Sequence, residues 1–593
     1  MRLLFSILCT LGVLCPPVHA AAPPRPNVIV VLTDDQGYGD LSCHGNSVLK
    51  TPSLDRLYAE SVRLTDFHVA PMCTPTRAQL ISGRDALDSG AMNVSSGRTL
   101  LRRDLPTMAD VFAAAGYRTG VFGKWHLGDA YPYRPQDRGF QESLWFPSSH
   151  IGAVPDAWNN DYFNDTYRHN ERPRPYEGYC TDVFFREATA WIRKCREAGE
   201  PFLAYIPLNA AHWPHFVPDQ YRERYEQLLA GHAMKPQQRD RLARFFGMLA
   251  NIDENLGMLD GVLRETGLRD DTILVFLTDN GGTVGVPFFN AGMKGAKVTL
   301  WEGGHRVPCF VRWPAGGIGG GRDVDELTHC QDLLPTLVEL CGLKTPPGAS
   351  FDGVSLAGLL RGTADRLADR MLVVQFSRMN AGRPQKGDAA VLWRKWRLVA
   401  GTQLFDLAED PAQSRNVLDQ HPDVAARMRA HYDQWWAEIE PQLDAFQPVS
   451  IGSPEENPTM LTACEWADVF LDQGVQVRRG ERKNGAWHVR VEREGEYQFT
   501  LRRWPRDVSA ALREGVPAHH GELGDYDAGV ALPIAKARLR VGDHDVSQPV
   551  RPDDREATFT LRLPRGRTTL QTWFYDDAGQ EICGAYYVYA YRP

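Results

Sequence analysis

No basic run interrupts this chain of 593 residues, whose 66 lysines and arginines are outnumbered by 74 acidic residues for a net charge of −8. A balance of that kind does not attract nucleic acid or other polyanions as a whole, so an anionic substrate has to be drawn by a local cationic pocket. Internal repeats and low-complexity tracts are absent too, which excludes solenoids and disordered arrays. Cysteine is sparse: eleven in all, of which Cys9 and Cys15 fall in an N-terminal leader. The other nine are scattered, with neither the spacing of a zinc site nor the density of a disulfide framework. Nine is odd, so an exported chain keeps at least one thiol unpaired, and Cys73 is the natural candidate. Long apolar runs are missing as well. Arg2 is followed by the apolar run Leu3 to Cys15, then Pro16-Pro17 and the small-residue site Val18-His19-Ala20. That run is too short to span a bilayer. It reads as a signal peptide over residues 1–20, with export to the periplasm or the exterior as the expectation.

What is present is ordinary globular material, 43% hydrophobic and 24% charged, at a length that exceeds one core. Asn27 to Thr33 is a continuous β-branched run, the pattern of a strand buried on both faces of a parallel sheet, and it ends in Asp34-Asp35. The pattern returns as Thr272 to Thr278, followed by Asp279-Asn280-Gly281-Gly282. Open α/β sheets build their sites at such carboxyl ends. Three carboxylates and an amide oxygen brought together there call for a hard cation, Ca²⁺ or Mg²⁺, rather than zinc or copper; the plainer alternative is that each Asp caps a turn. Between the two runs, Thr107 caps a helix from Met108, Tyr117 to Gly123 is a strand leading to Lys124-Trp125-His126, and Phe202 to Ile206 leads to His212 and His215. An amphipathic helix carries Phe245, Leu249, Ile252, Leu256, Leu259 and Leu263 on one face. Strand, site and helix in repetition predict a mixed, largely parallel sheet sandwiched by helices.

Cys73-Thr74-Pro75-Thr76-Arg77 stands at the mouth of a helix-like run, where free backbone N–H groups favour anions. By itself this is compatible with a mildly acidic thiol or half of a disulfide. Lys294 to Pro308 is a loop dense in glycine and cations. Beyond it, helix-like Val424 to Trp436 closes a smaller segment, and residues 447–458 are rich in Pro, Ser and Glu, as linkers are. From residue 459 the period becomes two. Trp487-Val489-Val491 and Tyr497-Phe499-Leu501 flank a turn as a hairpin would, and the aromatic run Tyr586 to Tyr591 adds a strand. A separate all-β, sandwich-like domain is expected. The divisions are therefore 24–375 for a catalytic α/β domain, 376–446 for a small α+β subdomain, 447–458 for a linker and 459–593 for an accessory β domain.

With these residues in view, the chain from Pro26 to Trp436 resembles the formylglycine-dependent (type I) sulfatases of the alkaline phosphatase-like superfamily, and in particular their secreted bacterial members. The resemblance rests on Cys73-x-Pro-x-Arg77, Ser82-Gly83-Arg84, Gly123-Lys124-Trp125-His126, His212, Asp279-Asn280-Gly281-Gly282, and Lys297 with Glu302-Gly303-Gly304, all in the family's order. It implies a hydrolase of sulfuric esters, acting on a sulfated glycan or an aryl sulfate. It implies that Cys73 is converted by a maturation enzyme to formylglycine, whose hydrate is the nucleophile. One Ca²⁺, with Mg²⁺ less expected, would be held by Asp34, Asp35, Asp279 and Asn280 and contact residue 73. Arg77 would hold the hydrate, Lys124 and Lys297 would clamp the sulfate, His212 would protonate the leaving alcohol, and His126 would take the proton that releases sulfate. His215, His305 and Lys294 stand between substrate contact and scaffold. Lys294 replaces a frequent arginine and Ala296 a common glycine of the family. A phosphonate or phosphodiester hydrolase of the same superfamily and a non-catalytic binder of sulfated glycans are the alternative readings.

Overall fold

The computed structural model describes residues 25–345, 349–379 and 381–593; the expected signal peptide lies outside them. A ten-stranded sheet forms the centre. Its middle consists of Asn27–Thr33 (β1), Arg118–Lys124 (β2), Phe202–Pro207 (β3) and Thr272–Thr278 (β4), all parallel, with Cys309–Arg312 (β5) antiparallel beside β4. The spatial order β5-β4-β1-β3-β2 puts the earliest strand in the middle of the core.

Alternation along β1 explains why its whole run is apolar. Ile29 and Val31 point into one core with helix Cys180–Ala198 and the long helix Pro236–Glu265. Val28, Val30 and Leu32 point into the other, with helices Cys73–Ser82 (α1) and Met108–Ala114 (α2). Every residue of β1 and β4 is buried, and each fully buried Val, Leu or Ile is worth roughly 1.5–3 kcal/mol. Helices therefore cover both faces, as the sequence predicts. α2 begins in a capping box in which Thr107 and Asp110 each bond the other's backbone N–H.

A four-stranded antiparallel sheet spans residues 372–406, and helix Pro422–Ile439 packs on it. The C-terminal region has a sheet of six strands and one of four that share a single core containing Trp466, Trp487, Trp504 and Phe574, and a small two-stranded sheet of His519–His520 and Asp525–Tyr526. Two expectations are corrected here. Val449–Ile451, inside the stretch expected to be a linker, is a strand paired in parallel with Ala486–Val491. Ala486–Val491 and Gly495–Arg502 are not a hairpin: the first pairs with Gly566–Tyr575, the second with Ala557–Leu563 and Tyr587–Tyr591. Residues 492–494 cross from one sheet to the other, and a period of two reports a buried face without naming the neighbouring strand. Trp573 and Tyr586 are buried. All nine described cysteines are free thiols. No helix among the described residues is long and apolar enough to cross a membrane.

The C-terminal sheets pack onto the segments that follow α1 and β2. Their core takes in Leu100, Tyr133 and Val154, Thr99 Oγ1 donates to Glu465 at 2.7 Å, and Tyr587 Oη donates to the Val154 carbonyl at 2.9 Å.

Candidate active site

β1 and β4 run side by side with Thr33 opposite Thr278. That register brings the next residues, Asp34-Asp35 and Asp279-Asn280, to one edge of the sheet. Asp35 has a φ of 57°, in the left-handed region, which turns its carboxylate back toward the cluster; an Asp tolerates this better than most residues. Lys124 is the last residue of β2, and His126 follows two residues later with φ 59°. Such a conformation costs a non-glycine residue on the order of 1–3 kcal/mol and persists where the surroundings over-determine it.

Cys73 is the first residue of α1, whose ten residues are all buried. Arg77 is one turn further on, so both side chains leave the helix on the same face. The guanidinium Nη2 lies 3.1 Å from Asp34 Oδ2 and 2.9 Å from Asp279 Oδ2, all three fully buried, while Nη1 donates to the Lys124 carbonyl at 3.3 Å. Cys73 Sγ lies 3.6 Å from Asp34 Oδ1 and 3.4 Å from Asn280 Oδ1. Lys297 Nζ reaches it from 3.3 Å and also bonds Asp35. Lys124 bonds Asp34. Three carboxylates thus meet three cations around one sulfur.

The charges set the proton affinities. Burial would raise Asp34, but Lys124, His212, Arg77 and Lys297 outweigh it and hold the carboxyl well below the usual range. Burial and the neighbouring Asp34 push Asp279 up to about 6. Burial, with Asp34 adding, pushes the Cys73 thiol up to about 12. A thiol so weakly acidic is a poor nucleophile at neutral pH.

The two histidines have defined tautomers, because a backbone carbonyl only accepts. His126 Nε2 lies 2.9 Å from the Val94 carbonyl and so carries its proton; Nδ1 is left buried without a partner. Burial followed by the charge of Lys124 keeps the ring well below its ordinary pKa, hence neutral. His212 Nδ1 lies 2.6 Å from the Trp213 carbonyl, which leaves Nε2 free, and burial together with Lys297 lowers this ring to about 3.

Asp34, Asp35 and Asp279, with the Asn280 amide, offer an all-oxygen donor set on buried, fixed backbone. That set suits a hard divalent cation such as Ca²⁺. Ligand atoms of Asp34, Asp35, Cys73 and His212 all lie within 4.8 Å of one another.

Comparison with known proteins gives this arrangement a family. The sulfatase family profile matches residues 26–343, and the profile of the N-sulphoglucosamine sulphohydrolase C-terminal region matches 296–437. The chain belongs to the sulfatase family. Bovine (Bos taurus) arylsulfatase A is 30% identical over 502 residues, covering 75% of this chain and 94% of that protein. The ulvan-active sulfatase of Formosa agariphila is 29% identical over 415 residues, covering 67% and 78%. The crystal structure of Ps i-CgsB in complex with k-i-k-neocarrahexaose superposes with a TM-score of 0.61 at 24% identity, over 69% of this chain and 92% of that one, and shares the fold. This sulfatase is accordingly a hydrolase of sulfuric esters with the alkaline phosphatase-like fold.

The three residues that stood between substrate contact and scaffold lie outside the cleft lining. His215 is buried against Phe245, its ring 6.0 Å away, outside the cleft that opens over Cys73. His305 turns from the cleft to the core, where its Nδ1 is 2.9 Å from His68 Nδ1. Lys294 lies over the Trp301 ring at 4.5 Å and points to the Gln413 carbonyl. Each neighbours a site motif in sequence, but adjacent residues on loops and in the short helix Glu302–His305 project in different directions, and spacing alone does not reveal which way. Ser149 and His150, which carry no motif in the sequence, also line the cleft. They follow strand Glu142–Phe146, which pairs in parallel with β2. The apolar run Leu144-Trp145-Phe146 with polar residues after it was the available signal.

Burying His215 has a consequence for stability. Burial, with Arg241 next, lowers its pKa from the ordinary 6.5 to about 3. Below pH 6.5 the unfolded chain takes up a proton there that the folded chain does not, so the stability contributed by this residue is full above pH 6.5 and falls as the pH drops. Denaturant unfolding at pH 7 and pH 5 should show the sulfatase losing about 1–2 kcal/mol relative to its His215→Gln variant over that interval. An unchanged difference would contradict a neutral, buried His215.

Proposed function

We propose that this sulfatase removes sulfate from a sulfated carbohydrate, using residue 73 as a formylglycine hydrate and one Ca²⁺ as cofactor. The observation that carries the reading is the arrangement around Cys73 Sγ: oxygen donors on one side, Lys297 at 3.3 Å, and a thiol too weakly acidic to act as it stands. The hydrated aldehyde supplies two hydroxyls on one carbon, the first to attack sulfur and the second to expel sulfate and restore the aldehyde. Bound by Asp34, Asp35, Asp279 and Asn280, the cation supplies positive charge that polarises the sulfate and favours the ionised nucleophile.

The chain's own groups do the rest. Arg77 and the first turn of α1 fix residue 73. Asp279, beside residue 73 and Arg77, accepts the attacking hydroxyl's proton. Lys124 and Lys297 hold the sulfate oxygens as negative charge shifts among them. His212 Nε2, which carries no proton at rest, faces the bridging oxygen and passes to the departing alcohol a proton given up by the ammonium of a clamp lysine. His126 Nδ1, unpartnered and neutral, takes the proton of the second hydroxyl. A serine ester in the same place has no second hydroxyl and would stop after the first half.

A glycan is favoured as substrate because relatives carry such activity in their names, among them the ulvan-active sulfatase. We assign catalysis to residues 24–446 and treat the C-terminal β region as an accessory part, in a chain exported by its leader and matured by an enzyme that oxidises Cys73. The test is sulfate release from a panel of sulfated sugars and from 4-nitrophenyl sulfate, against matched phosphate esters. EDTA should abolish release and Ca²⁺ should restore it, more fully than Mg²⁺. Turnover of the phosphate esters alone, or activity indifferent to EDTA, would reject the proposal.

A further inference from the structure

The cleft over residue 73 has a volume of about 360 Å³, and distant parts of the chain wall it. Cys73, His126, His212 and Lys297 form its reacting end. Phe470, Asp472 and Gln473 come from the β-rich C-terminal region, which lies beyond both matched family profiles.

Asp472 is 4% exposed and firmly held. Its N–H donates to Gln476 Oε1 at 3.1 Å, and its carbonyl accepts from the Val154 N–H at 2.9 Å. Ser149 Oγ donates to Asp472 Oδ2 at 2.9 Å; Oδ1 is buried with no partner. Since the one hydroxyl proton of Ser149 goes to the carboxylate, its oxygen accepts from His150 Nδ1 at 2.8 Å. His150 therefore keeps Nε2 as an acceptor, and its ring stacks on His212 with centroids 5.4 Å apart. The lining thus carries two acceptors, a carboxylate oxygen and a ring nitrogen, on side chains linked through Ser149. Half-buried Phe470 and 39%-exposed Trp213, whose ring is 5.7 Å from that of His150, add flat apolar surface of the kind that packs on a sugar ring.

We infer that Phe470, Asp472 and His150 form the subsite for the sugar unit bearing the sulfate, selecting a unit with a free hydroxyl or amino group beside the sulfated carbon and rejecting one with a second sulfate there. The inference rests on the sulfate-ester reading above. A hydroxyl or amine donates to the waiting acceptors, whereas a second sulfate has only acceptors and brings a negative charge against a fixed carboxylate, a mismatch that interfaces use to exclude wrong partners. The accessory β region then sets specificity directly.

The experiment compares the unaltered protein with Asp472→Ala and Asp472→Asn. The probes are the best-cleaved monosulfated methyl glycoside of the panel, its counterpart with a second sulfate on the neighbouring carbon, and 4-nitrophenyl sulfate, which has no hydroxyl to donate. Losing a hydrogen bond to a charged group should lower kcat/KM of Asp472→Ala on the monosulfated sugar about 10–100-fold more than on the aryl ester, mainly through KM. Asp472→Asn, which presents a donor, should narrow the preference for monosulfated over disulfated sugar at least about tenfold. Equal losses on sugar and aryl esters, or an unchanged preference, would overturn the inference and leave sulfate hydrolysis standing. No release of sulfate by the unaltered protein from any ester would remove the sulfatase reading and this inference together.

Discussion

Replacing Cys73 with serine is expected to end turnover, with a loss of at least about 10⁴-fold in sulfate release, the scale seen when a nucleophile is removed. The substitution is nearly isosteric and the site is rigid, with α1 buried along its whole length, so the fold should survive and the loss should be chemical. Its form matters as well as its size. A serine hydroxyl sits near the same oxygen donors and lysine, so it can still attack sulfur. The resulting ester carries no second hydroxyl for His126 Nδ1 to deprotonate. Intact mass should therefore show that, after incubation with a cleavable ester, Cys73→Ser retains up to one sulfate per chain while releasing none catalytically. Cys73→Ala should be as inactive and retain nothing. Multiple turnovers by the serine variant would mean that the diol is not required.

The second large effect is expected from Arg77→Met. Arg77 is fully buried between Asp34 and Asp279, at 3.1 and 2.9 Å, and those carboxylates are buried completely. Its removal leaves like charges facing each other in a low dielectric. Breaking a buried pair by deleting one partner typically costs about 3–5 kcal/mol, which should appear as a lowered urea midpoint. Activity should fall with it, since residue 73 and Asp279 lose the group that fixes both. Arg77→Lys should recover part of the stability but little of the activity, because a single ammonium cannot span both carboxylates and the Lys124 carbonyl as a planar guanidinium does. Wild-type stability in Arg77→Met would show that the two aspartates are not both charged in the folded protein.

How far the molecule could be read from its sequence depended on whether a feature was local. β1 and β4 were legible with their ends because strands buried on both faces leave an unbroken apolar run, and the carboxylates after them stand where parallel sheets present their sites. Cys73 and Arg77 were legible as a pair because a helix brings every fourth residue back to one face. The connection after Ala486–Val491 was not, since alternation says which side is buried and nothing about which sheet receives the next strand. The three-residue strand Val449–Ile451, flanked by Pro448 and Gly452, is too short to leave a periodic signal. His215 and His305 looked like site residues because they neighbour site motifs, yet the direction of a side chain in a loop or a one-turn helix is set by contacts far away in sequence. Asp472 is the extreme case: its partner Ser149 is 323 residues away, and only the packing of the C-terminal sheets on the catalytic face brings the two together.

The central claim is that residue 73 works as an aldehyde hydrate. It is tested most directly by the mass of the tryptic peptide Leu64 to Arg77, taken from protein secreted by the native host. The peptide should be lighter than its unmodified sequence by the difference between a thiol side chain and an aldehyde, in the same preparation that releases sulfate. An active preparation whose Cys73 is entirely an unmodified thiol would contradict it.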